Sequence, residues 1–300
     1  MLSPSGQKKI ETKLRNIYQF LYSKIEIDQY SKEIIQIIKK FNKKNKKKNK
    51  LISEKTSIVI CYGDSVFNSK QKYQIKGFQN FYQKKLKNYF NTVHFLPFYP
   101  SSSDSGFAVK DHYKIDSRIG KWSDISNFAK KNDVMADIVI NHSSARGLWF
   151  RNFLRGKKPG KDYFLMVNSK FNASKVVRPR DHELLKKITI FKKTEYLWRT
   201  FSPDQLDLNF KNPAVLLRFI KILINLLNHG VTIFRLDAIA YLWKENGTKC
   251  INLKQTHEII KLFRLICSFL NVKSILVTET NLPEKENLSY FGKKDEANWI

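Results

Sequence analysis

The chain has 300 residues, 42% of them hydrophobic, enough for one large packed unit or two ordinary ones and too many for disorder over most of its length. Lysine and arginine number 55 against 26 aspartate and glutamate, a formal net charge of +29. Such a surplus suits phosphate, nucleic acid or anionic lipid, but no zinc-finger spacing or RNA-binding motif accompanies it, and a general abundance of Lys, Asn, Ile, Phe and Tyr, as A/T-rich codons produce, accounts for it without a nucleic-acid or membrane partner.

Residues 7–42 repeat apolar side chains at helical spacing, Ile10, Leu14, Ile17 and Leu21 first, then Ile34, Ile35, Ile38 and Phe41, which predicts two helices. The run KKNKKKNK at 43–50 can bury nothing and reads as a solvated linker. The opening Met1-Leu2-Ser3-Pro4 begins no apolar signal-peptide core, so a reducing, cytoplasmic setting is expected. Beyond the linker, strands are predicted at 56–62, 92–98, 134–140, 231–238 and 274–279. Helices are predicted at 77–89, near 123–131, after Asn212 and across 255–270. Asn212 supplies an N-cap, Pro213 a first turn, and Gly230 a left-handed residue past the C-terminus. The longest apolar stretch, 215–227, is interrupted by Arg218, Lys221 and Asn225, so it is no membrane span.

Alternating apolar strands and helices predict a parallel sheet covered by helices. Residues 143–211 break that alternation and are too long for an ordinary connection, which predicts a subdomain inserted after the third strand. The expected division is therefore a helical extension with linker (1–50), a first sheet portion (51–142), the insertion (143–211) and a continued sheet portion (212–300).

The informative feature is where polar residues interrupt the apolar strands. The third ends in Asn141-His142, the fourth contains Arg235 and Asp237, and the fifth ends in Glu279. In a barrel of parallel strands the C-terminal strand ends form one rim, where active sites are built. A doubly wound open sheet also binds at strand C-termini, but its Gly-rich phosphate fingerprint is absent. Arg235 and Asp237 lie two apart on a strand and leave the same face. A carboxylate beside a guanidinium stays ionised, as a nucleophile must; the same pair would also serve simply to fix the strand. With Glu279 on the next strand end, the two carboxylates of glycoside chemistry are available.

The segments GVTIFRLDAIAYLWK, DIVINHSS and VTETN resemble the fourth-, third- and fifth-strand motifs of the α-amylase family. Longer stretches, VHFLPFYPSSSDSGFAVKDHYKIDSRIGKWSDI, VVRPR, FSPDQLDLNFKNPAVL and ETNLPEKENLSYFGKKDEANWI, are similar to its sucrose phosphorylase-like branch, nearest to members acting on phosphorylated sucrose or glucosylglycerate. The resemblance implies a (β/α)8 TIM-type barrel with an insertion after strand 3. It also implies phosphorolysis of an α-glucoside through a covalent glucosyl-enzyme, with hydrolysis or transglucosylation as the alternative outcomes. Asp237 would be the nucleophile and Glu279 the acid/base. Asp111, His112 and His142 would meet the transferred glucose beside Arg235, and Asp137 and Asn141 would be mainly structural. Phe98 and Tyr99 would either stack on sugar or pack in the core. Inorganic phosphate is the implied co-substrate, with no organic cofactor.

The three scattered cysteines, Cys61, Cys250 and Cys267, and the six histidines show no disulfide or metal-ligand spacing, so no metal is expected. At the end of His229's helix a cationic ring would suit the dipole. Arg178 and Arg180 offer a phosphate contact or merely two surface charges. The chain ends at Ile300, where a sixth strand is expected to begin, before the family's His-Asp motif; this reads as a barrel cut after its fifth to sixth strand, with little activity or an inactive fragment expected of these residues alone.

Overall fold

A computed structural model describes residues 3–41, 53–190, 193–270, 272 and 274–292. The Lys-rich run 43–50 and the sixth strand expected near Ile300 lie outside these residues.

Two helices open the chain, α1 (Pro4–Tyr18) and α2 (Lys24–Lys40). Ser3 caps α1 by accepting from the Gly6 amide, with Pro4 in the first turn. Ser23 and Glu26 form a reciprocal capping box on α2. Their apolar stripes, including Ile10, Leu14 and Ile17 on one and Ile34 and Ile38 on the other, are buried.

The main sheet is built from β1 (Ile58–Cys61), β2 (Thr92–Phe95) and β3 (Asp133–Val139). Between them lie α3 (Gln74–Phe81), which runs into a wider π-turn at Tyr82–Leu86, and α4 (Trp122–Ala129). Residues 143–211 contain most of the elements that sequence periodicity does not disclose. After β4 (His142–Ser144) come α5 (Leu148–Leu154), β5 (Met166–Val167), β6 (Leu185–Ile190), β7 (Lys193–Trp198) and β8 (Gln205–Asp207). Strands β5, β7 and β6 make a small antiparallel sheet, and β4 pairs antiparallel with β8. Leu165, Val167, Leu184 and Trp198 gather with Cys250 into a separate small core.

The chain then re-enters the main sheet through α6 (Pro213–Asn228), β9 (Ile233–Asp237), α7 (Lys254–Phe269), β10 (Ile275–Thr278) and the short α8 (Glu284–Leu288). Asn212 accepts from the Ala214 amide at 2.9 Å, and Gly230 has φ 85°, so both ends of α6 are as the sequence dictates. Apolar almost all round, α6 is covered on more than one side, α2 among its neighbours. No helix among the described residues is long and apolar enough to cross a membrane.

The five strands run parallel in the order β1-β2-β3-β9-β10, so the insertion lies between two strands that are hydrogen-bonded neighbours. Parallel pairing sets all five C-terminal ends along one side, and this is what gathers the charged residues. On the helical side the N-terminal pair is docked: the Tyr18 hydroxyl donates to the Phe210 carbonyl, and Lys13 and Asn16 both reach Glu258 on α7.

Candidate active site

Register builds the centre of the site. Asp137 on β3 is the register partner of Arg235 on β9, and Val139 of Asp237. Being two apart on one strand, Arg235 and Asp237 share a face, and Arg235 Nη1 donates to Asp237 Oδ1 at 2.9 Å. The same nitrogen donates to Asp137 Oδ1 at 2.6 Å, while His94 Nε2, on β2, lies 2.9 Å from Asp137 Oδ2. Asp137 is fully buried and has a partner on each oxygen, as a buried charge requires.

Glu279 follows β10 directly. Its Oε2 accepts from the Ala238 amide at 2.7 Å, and its Oε1 from Asn281 Nδ2 at 2.5 Å. Ala238 adopts a left-handed conformation (φ 52°), turning the chain immediately after Asp237. Arg235 Nη2 is 3.8 Å from Glu279 Oε2, so one guanidinium faces three carboxylates drawn from three adjacent strands. The Phe107 ring centroid lies 5.7 Å from that guanidinium, covering it.

Burial pushes the Asp237 carboxyl up to about 7; Arg235 opposes this, and the charges on Glu279 and Asp137 reinforce it. Arg235 was expected to keep Asp237 fully ionised, but taking the carboxyl out of water is the larger effect. Burial also works against the charge on Arg235, but the Asp137 hydrogen bond and the surrounding carboxylates outweigh it and hold the guanidinium cationic.

A second group of polar residues stands beside the first. Burial lowers His142 to about 4 against the pull of Asp207, so the ring is neutral and its Nε2 accepts from Gln205 Nε2 at 3.0 Å. Gln205 Nε2 also donates to Asp104 Oδ2 at 2.7 Å. Beneath them Asn141 donates to Asp207 (3.0 Å) and accepts from Lys244 (2.9 Å), and Lys244 and Asp207 form a buried ion pair at 2.5 Å. Thr200 completes this node with its amide and hydroxyl on Asp207. Asn141 is thus tied to the insertion and to the loop after β9.

Asp237, Glu279 and Arg235 come together, as their strand positions imply, and His142 joins Asp104 through Gln205. The other expected site residues lie apart. Asp111 accepts from the Tyr113 amide and pairs with Lys114 on the surface. His112 is buried, its ring stacked on Trp149 and against Phe219 and Tyr99, with neither ring nitrogen hydrogen-bonded among the described residues. Burial lowers it to about 3, with the neighbouring His142 acting in the same direction. Phe98 is 0% exposed and packs on Tyr99 and Trp122, so its ring offers no face to a sugar here. Arg178 donates to the His182 carbonyl and Arg180 to that of Pro179. His229 is stacked on Trp122 at 4.2 Å, and burial lowers its pKa, so the ring favours the neutral form instead of the cationic one expected at a helix end. Asp104, Phe107 and Gln205 were not anticipated; their only sequence signal is that they belong to the long matching stretches.

The chain matches the alpha amylase, catalytic domain family over residues 79–299. It is 42% identical over 244 residues to a glucosylglycerate phosphorylase of Spirochaeta thermophila, covering 81% of this chain and 41% of that protein. Against the glucosylglycerate phosphorylase of Escherichia coli it is 41% identical, covering 81% and 44%. Its fold is similar to a sucrose 6F-phosphate phosphorylase structure from Thermoanaerobacter thermosaccharolyticum, with TM-score 0.68 and 26% identity over 77% of this chain and 49% of that one. The chain spans less than half the length of the curated relatives it matches. A parallel sheet whose strand ends converge on one arginine, in a sequence that matches over most of its length, places this chain in the alpha-amylase catalytic-domain family.

Proposed function

We propose that this chain supplies the catalytic carboxylates of a retaining α-glucoside phosphorylase, its five-stranded sheet forming the first part of a (β/α)8 barrel with residues 143–211 inserted after strand 3. The observation that carries the reading is Arg235 shared among Asp137, Asp237 and Glu279 at the ends of adjacent parallel strands. The likeness to glucosylglycerate and sucrose phosphorylases supports glucose as the transferred sugar and phosphate as its acceptor.

Asp237 attacks the anomeric carbon as the glycosidic bond breaks, and Glu279 gives its proton to the departing oxygen. A glucosyl ester on Asp237 results. A phosphate oxygen then attacks the same carbon from the opposite face, releasing the Asp237 carboxylate and restoring the α configuration. Glu279 stays ionised while phosphate enters, because phosphate brings its own acidity; the phosphate proton finally replaces the one given to the aglycone. Asp104, Gln205 and neutral His142 form the polar wall facing the glucose.

Product analysis tests the proposal. Incubating a protein that carries these residues within a complete barrel with glucosylglycerate or sucrose should release glucose 1-phosphate in a phosphate-dependent manner. Free glucose at the same rate with and without phosphate would make the enzyme a hydrolase of the same family.

A further inference from the structure

The loop that carries Asp104 and Phe107 holds an uncommon backbone. Asp104, Ser105 and Gly106 have φ of 54°, 47° and 103°, three left-handed residues in succession, two of them not glycine. A Cβ on Gly106 would lie 2.8 Å from the Pro97 carbonyl, so that position needs glycine. Two consecutive non-glycine residues in this region persist only where the surroundings over-determine them.

The base of the loop is closed by backbone contacts. Ser101 and Val109 form a bridge, Lys110 N donates to Pro100 O at 2.7 Å, and Ser102 N to Ala108 O at 3.1 Å. Above that base, one side chain from a hundred residues away grips the loop. Asp204 Oδ2 accepts from the hydroxyls of Ser102 and Ser103, each at 2.6 Å. Ser144 approaches Asp204 Oδ1 at 3.4 Å, and the Ser102 and Ser144 hydroxyls are 2.5 Å apart. Asp204 is itself fixed, its carbonyl accepting from the Ala145 amide at 2.8 Å. These short contacts to a carboxylate are stronger than hydroxyl pairs between neutral groups. The next residue, Gln205, holds Asp104.

We propose that Asp204 is a positioning residue: by anchoring Ser102 and Ser103 it keeps the Asp104-Ser105-Gly106 turn in the form that presents Asp104 and Phe107 to the sugar. It touches neither Asp237 nor Glu279 in the contacts described above, so it acts on binding through the loop and leaves the chemical groups in place. The proposal rests on the α-glucoside phosphorylase site described under Proposed function.

The experiment compares Asp204→Ala, Asp204→Asn and Ser103→Ala with the unaltered enzyme by amide hydrogen exchange, melting temperature and phosphorolysis kinetics. Ser103 is exposed, so its truncation leaves the core untouched. In Asp204→Ala the Phe107 and Ala108 amides should exchange about tenfold faster, and KM for the glucoside should rise about tenfold with kcat within about threefold, the size expected for losing hydrogen bonds to a charged group. Ser103→Ala should shift both in the same direction by less, and Asp204→Asn, which keeps an acceptor oxygen, should recover part of the loss. Unchanged loop exchange in Asp204→Ala, or faster exchange with unchanged KM, would overturn the proposal, as would a wild-type loop already exchanging as freely as an unstructured one. Absence of phosphorolysis in a protein carrying these unaltered residues within a complete barrel would instead remove the functional reading, and the exchange comparison would still decide the clamp.

Discussion

Two halves of the candidate site are held by different means. Asp137, Arg235, Asp237 and Glu279 lie on or just after β3, β9 and β10, where parallel register sets their spacing and each charge answers another. Asp104, Phe107, His142 and Gln205 lie on loops and on the edge of the insertion, and side chains distant in sequence hold them there: Asp204 on the serines, Lys244 and Thr200 on Asp207. The strand-borne half therefore depends on charge balance within a rigid frame, and the loop-borne half on polar clamps that vary independently of it. On the proposed function, placing the chemistry on the frame and the sugar contacts on clamped loops would let one set of carboxylates serve different substrates.

The largest effect that would break this contrast is expected at Asp137. Replacing it with Ala leaves Arg235 and His94 without their buried partner. Stability should fall by about 3–5 kcal/mol, as when one member of a buried pair is removed, with activity lost alongside; urea unfolding checks the first and a rate assay the second. A mild loss of both would mean the strand-borne charges are not balanced as a unit.

Next comes the clamp under the loop-borne half. Lys244→Met strands the buried Asp207 carboxylate and should cost about 3 kcal/mol or more, whereas Lys244→Met with Asp207→Leu should cost distinctly less than that single change. Thermal melts of the two variants decide. Equal or greater damage in the double variant would show that the pair is needed for its geometry as well as its charge.

The pH dependence sharpens the comparison because near pH 7 it reports the strand-borne half, His142 being lowered to about 4. On the proposed mechanism Asp237 must be ionised to attack, and burial holds it near 7, so kcat/KM should fall about tenfold per unit as pH drops below that value. Removing Arg235 takes away the charge that opposes burial, so the residual activity of Arg235→Met should lose its acid limb at still higher pH. The stability linkage has the opposite sense. A carboxyl raised from about 4 in the unfolded chain to about 7 when folded binds more protons folded, so its contribution to stability is full below pH 4 and is lost as pH rises through 7. An acid limb near 4 in the wild type would contradict both statements.

The smallest effect is expected far from either half. The N-terminal helices carry none of the family motifs, and the sequence alone suggested that they are dispensable to chemistry. Their docking on α7 and Phe210 adds a stabilising role. Tyr18→Phe, losing one buried hydrogen bond, should lower stability by about 1 kcal/mol and leave KM and kcat unchanged. A change in KM would show that the helical pair communicates with the site.

The same contrast explains what was legible in the sequence. Charges inside apolar runs stand out, so Arg235, Asp237 and Glu279 were visible from residue pattern, and the alternation of elements placed their strands within two or three residues of the observed bounds. The insertion hid its strands because β5 and β8 are very short and because burial along β6 and β7 does not alternate regularly, β7 running from exposed at its start to buried at its end. Asp104 was hidden because its partner Gln205 stands 101 residues away and its backbone conformation has no periodic signature. The neighbouring Asp-His pair at 111–112 was the more conspicuous choice, yet folding leaves Asp111 half-buried beside Lys114 and puts His112 into an aromatic cluster. His142 stands out in the sequence because it closes an apolar strand.

The most direct test of Asp237 as nucleophile is proton NMR of the glucose 1-phosphate first formed, run beside Asp237→Asn. A double displacement requires an α product, carboxyl groups about 5–5.5 Å apart and a variant in which turnover is abolished, because a neutral amide cannot form the glucosyl ester. A β product, or an Asp237→Asn enzyme that still turns over, would contradict the assignment.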